Sequence, residues 1–294
     1  MKKTLFLDAQ GRLRMPFAVT AVLIAFFAAQ VLGARGFNLL SEALLGTWSV
    51  TGKTLPYAPA WLQTAIANYG SLEAIVQGLL GFLSVAFCAK FLRKRALCVR
   101  GRHILLGAGI GFGLSAAAFA VLFGTGSVRC MAAGGVYPLS ELIAALGAIA
   151  SAFAPEALLG GFFYPETRCR PQVAASLFTV LNALLYVLGA VWSLPSIACV
   201  LAMSAACAAL YMRRSFAAAA ALRSFFGIFA HRLFGFSATG APGLFFETFP
   251  VARDWLTGGD LGLESGWLCA ALFGLCAVFA WKFLKNDAPE VHAR

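Results

Sequence analysis

Charge is what this sequence has least of. Charged residues make up 12% of its 294 positions and mean hydropathy is +0.82, whereas about a quarter of a soluble domain is charged. That scarcity excludes an ordinary soluble enzyme and leaves an all-α, polytopic membrane protein. Paired metal ligands are missing as well. The eight cysteines, at 88, 98, 130, 169, 199, 207, 269 and 276, contain no C-x-x-C and no metal-ligand spacing, so they read as small core or lipid-facing residues. Histidine is scarcer still: there are three, of which His103 and His292 read as exposed and only His231 falls in an apolar stretch. No inverted repeat or pair of broken helices is visible, which weakens a transporter reading.

The charge that is present is mostly positive, net +11. Its clusters lie between apolar runs, as topology signals do, so a nucleic-acid partner is not expected and the partner is the lipid bilayer. Eight runs are long enough to be spans: Pro16–Ala34, Ser71–Leu92, Ile104–Gly124, Pro138–Tyr164, Gln172–Trp192, Leu194–Met212, Ser215–Phe236 and Trp267–Leu284. Both termini then lie on one side. Assigning that side to the cytoplasm places 17 of the 23 Lys and Arg there and four outside, a bias that orients the chain in a bacterial cytoplasmic membrane. The whole of 1–294 reads as one membrane domain, with 35–70 as an extracytoplasmic, interfacial segment because its aromatic, apolar and polar residues are mixed.

Two motifs resemble nucleotide loops without being them. Gly52-Lys53-Thr54 ends like a phosphate loop, but Gly46 is one residue too distant. Gly107, Gly109, Gly111 and Gly113 lie within a span, where glycines four apart mark a close helix-packing face.

Against this background a carboxylate inside a span stands out. Glu156 sits in SAFAPEALLGGFFY, and a charge at a helix centre costs about 2.5–3.5 kcal/mol on insertion scales. By helix rise, Glu156, Asn182 and Arg223 lie at one depth, roughly a dozen ångströms from the cytoplasmic face. They form either a buried ion pair with a supporting amide or a site in which Glu156 is a base, ligand or proton carrier. Further out, His231 is placed to meet Glu141.

Three segments resemble the signature of the CPBP intramembrane proteases, the family of CAAX prenyl endopeptidases and bacteriocin-processing proteins. Pro155-Glu156-Ala157-Leu158-Leu159-Gly160 resembles E-E-x-x-x-R, Phe178-Thr179-Val180-Leu181-Asn182 resembles F-x-x-x-H, and Arg223-Ser224-Phe225-Phe226-Gly227 resembles H-x-x-x-N. The resemblance extends over 138–284, a protease-like core. It implies candidate catalytic positions at Glu156, Asn182 and Arg223. It also departs from the family: one Glu is Pro155, the Arg is Gly160, both His are replaced and the Asn is Gly227. The expectation is a pseudoprotease that binds a hydrophobic peptide or a partner's transmembrane helix, with an active endopeptidase of altered site as the alternative. No cofactor is expected, and zinc belongs only to that alternative.

Overall fold

The computed structural model describes residues 14–50, 60–133, 138–167, 170–187, 193–236, 244–251, 254–259 and 262–284. The elements are almost entirely helical: α1 Met15–Val50, α2 Ala60–Ala67, α3 Tyr69–Arg93, α4 Gly101–Gly124, α5 Pro138–Glu156, α6 Pro171–Val187, α7 Leu194–Arg213, α8 Phe216–Gly227, α9 Asp254–Thr257 and α10 Trp267–Phe283. Two strands, β1 Val128–Ala132 and β2 Phe246–Pro250, pair antiparallel with Cys130 opposite Thr248. Among the described residues, five helical segments are long and apolar enough to cross a membrane: Met15–Ala43, Tyr69–Arg93, Gly101–Gly124, Pro138–Glu166 and Leu194–Arg213. Pro171–Tyr186 and Trp267–Phe283 are shorter apolar helices. Large apolar side chains face outward, among them Leu83, Phe87 and Leu105. This is a helical membrane protein.

Local chemistry sets the helix ends. Lys94 closes α3 in the left-handed region, φ 53°, with its N–H on the Ala89 carbonyl. Ser193 caps α7 by accepting from the Ser196 N–H at 3.3 Å. The expected first span does not stop at Ala34; its helix runs on through Arg35 and Gly36 to Val50, because nothing between them breaks helical hydrogen bonding. Pro155 lies inside α5, and the chain then widens into a π-helical turn at Ala157–Phe163. A second π segment, Ile228–Leu233, prolongs α8. Proline removes a helical donor and crowds the preceding turn, and π segments accompany functional sites often enough to direct attention there.

The chain forms two compact units, Met1–Leu97 with Tyr137–Ala154, and Cys98–Val136 with Pro155–Arg294. In the first unit, α1 and α3 pack closely, joined by Gln30 donating to the Gln77 carbonyl at 3.1 Å. Glycines make room there: a Cβ at Gly78 would lie 2.3 Å from the Ala150 carbonyl oxygen. In the second unit, α4 lies along the alanine-rich α8. Cβ atoms at Gly107 and Gly111 would come within 2.2 Å of the Ala218 oxygen and 2.8 Å of the Phe226 nitrogen, while Gly109 and Gly113 meet nothing within 4 Å. The glycine face is therefore narrower than the sequence reading, and Ser115 completes it by donating to the Phe226 carbonyl at 3.2 Å. The register 107 to 218 and 111 to 226 runs α4 and α8 in the same direction. Near the C-terminal ends of α7 and α10, Arg213 donates to the Trp281 carbonyl at 2.6 Å and lies 5.2 Å from its ring centroid.

Candidate functional site

The second unit gathers Glu156, Asn182 and Arg223 into one hydrogen-bonded cluster, as expected from their common depth. Glu156 ends α5 and is fully buried, and Asn182 on α6 is fully buried too. Arg223 on α8 retains 11% side-chain exposure. Its Nε donates to Glu156 Oε1 at 3.0 Å, and its Nη2 donates to Asn182 Oδ1 at 2.6 Å. The Asn182 amide nitrogen lies 3.1 and 3.3 Å from the two Glu156 oxygens and 2.7 Å from the Tyr211 hydroxyl. Tyr211 in turn donates to Glu156 Oε2. Each carboxylate oxygen thus faces two donors.

Three members of this cluster escaped the sequence reading. Tyr211 lies on α7, and Gly160 admits its ring: a Cβ at Gly160 would stand 2.4 Å from Tyr211 Cδ1. Tyr186, one turn beyond Asn182 on α6, lies beneath the guanidinium, 3.5 Å from Arg223 Cζ to the ring centroid, a cation–π contact. Cys207, one turn before Tyr211, places its sulfur 3.9 Å from Arg223 Nη2. An aromatic or thiol in an apolar helix carries no positional signal of its own, so only the helix rotations reveal these partners.

One expectation is corrected. His103 is 2% exposed, with Nδ1 2.8 Å from Ser215 Oγ; it is a packed histidine and not a surface one. His231, for its part, finds a carboxylate within the second unit in Glu264, at 3.6 Å. The half-exposed Glu264 titrates below the usual carboxylate range: partial burial works against this, but the hydrogen bond and charge of His231 outweigh it, helped by Arg223.

The cluster does not fit the zinc of the protease alternative. Zinc sites draw on several His, Cys and carboxylate donors together, whereas the groups around Glu156 are guanidinium, amide and phenol; the cluster's one thiol, Cys207, lies against the guanidinium, which holds the position opposite the carboxylate. Among the described residues no three His, Cys, Asp or Glu are grouped to hold a metal. No family model, no curated protein and no solved structure matches the chain.

Proposed function

We propose that this chain is a CPBP-like pseudoprotease of the bacterial cytoplasmic membrane that binds a hydrophobic peptide or a partner's transmembrane helix without cleaving it. The observation that carries this reading is the enclosure of Glu156: both of its oxygens are engaged by Arg223, Asn182 and Tyr211, so the carboxylate is directed at protein donors and not at water. General-base catalysis requires reach to the proton being abstracted, and here that reach is blocked by protein donors. The motif positions also support the family scaffold, since the three segments quoted from the sequence converge on one cluster.

Eight crossings with both termini cytoplasmic belong to the same proposal. In an alternating path, the third and seventh spans run in one direction, which agrees with the parallel register of α4 and α8. The seventh crossing consists of α8 and its π continuation.

Ligand access is proposed along α8. Arg223 is the exposed edge of the cluster, its Nη1 makes no hydrogen bond to a described residue, and one turn on, a Cβ at Gly227 meets nothing within 4 Å. A photoreactive p-benzoylphenylalanine at Gly227, in protein reconstituted with a synthetic apolar peptide of about 20 residues, tests the reading. The expected result is a crosslinked, intact peptide by mass spectrometry. Cleavage that disappears in Glu156→Gln would establish the active peptidase instead. The absence of both adduct and cleavage would refute peptide binding.

A further inference from the structure

A cleft on the second unit lies away from the Glu156 cluster's hydrogen bonds and needs its own explanation. It measures about 510 Å³ and is walled by α6, α7 and α10, with Ala175, Val180, Ala205 and Val278 among its lining residues. Its α7 wall runs from Ala205 to Met212, about 10 Å at 1.5 Å per residue. Half of a bilayer's hydrocarbon core is about 15 Å, so the cleft fits within one leaflet. That length is too short to seat a helix crossing both leaflets, and it suits part of one acyl chain.

The walls make no polar demand on an occupant. Ser176 and Thr179 line the cleft, but their hydroxyls already donate to the Gln172 and Ala175 carbonyls at 3.2 and 2.8 Å. The polar end is a cation: Lys282 lines the cleft and is exposed, beside Trp281, whose carbonyl and ring hold Arg213. A tryptophan with basic neighbours at the end of an apolar helix marks the headgroup level, and basic sites between helices select anionic headgroups.

We infer that this cleft binds one anionic glycerophospholipid, an acyl chain lying against the alanines of α6 and α7 and the phosphate at Lys282. The chain supplies burial of hydrocarbon and the phosphate supplies the preference for negative charge. This site is independent of the peptide-binding proposal, because no lining residue belongs to the hydrogen-bonded cluster.

Native mass spectrometry of the full-length protein, extracted in detergent and supplied with phosphatidylglycerol or phosphatidylcholine of identical chains, provides the test. Wild type should retain one phosphatidylglycerol at least tenfold more than phosphatidylcholine. Val278→Trp, a substitution at a half-exposed wall position, should fill the cleft and lower retention of both lipids about tenfold; Ala205→Phe fills it from the α7 side should the first variant fold poorly. Lys282→Gln should leave a chain bound while bringing the two lipids to near-equal retention. Equal retention of both lipids by wild type, or undiminished phosphatidylglycerol in folded variants with a filled cleft, overturns the inference.

Discussion

At the scale of the residue, the central problem is a carboxylate and a guanidinium removed from water together. Desolvating both is expensive, and a buried pair repays that cost only when its remaining hydrogen-bonding positions are filled. Here Asn182 bridges the two, donating to Glu156 and accepting from Arg223, while Tyr211 serves the other carboxylate oxygen. Arginine suits this position better than lysine, because its fork addresses Glu156 through Nε and Asn182 through Nη2 while its flat face lies on Tyr186. Removing one partner strands the other. Arg223→Ala should therefore lower stability by about 3–5 kcal/mol, seen as loss of folded protein in detergent or a fall in thermal midpoint. Glu156→Ala alone should also destabilise, and the double variant should be milder than the sum of the two. Additive losses would show that the pair does not interact directly.

At the scale of the element, small residues decide which helices can touch. Membrane helices associate through close packing, and α4 meets α8 at Gly107, Gly111 and Ser115, three positions four residues apart. Gly107→Leu should separate the helices and sharply reduce folded protein in the membrane, whereas Gly109→Leu, in open space, should leave its amount within about twofold; equal effects on accumulation measured by immunoblot would contradict this interface. The sequence displayed all four glycines but not the rotation of α4 against α8, so the packing face was legible and its membership was not. Helix positions were readable because apolar runs and basic ends report directly on lipid burial, as at Tyr69–Arg93 and Gly101–Gly124. The β1–β2 pair was not readable. Its strands stand more than a hundred residues apart and pair through contacts that no local turn signal announces. The cluster was half legible: scarce charges at one depth exposed Glu156, Asn182 and Arg223, while Tyr211 and Cys207 depend on which face α7 turns inward.

At the scale of the whole molecule, the question is which way the helices run through the bilayer. On the orientation proposed above, the basic stretch after α3, with Lys94, Arg95 and the exposed Cys98, faces the cytoplasm, the side that the positive-inside rule favours. Arg129, exposed on β1 beyond the far end of α4, then belongs outside. On the proposed topology one crossing, α4, separates the two markers and puts them on opposite sides whatever the total number of spans. A membrane-impermeant maleimide applied to intact cells should therefore label a cysteine placed by Arg129→Cys and spare Cys98, with the other native cysteines replaced. Permeabilisation should make Cys98 reactive. The opposite labelling pattern would invert the orientation while preserving the crossing, and labelling of both sites in sealed cells would mean that α4 does not span.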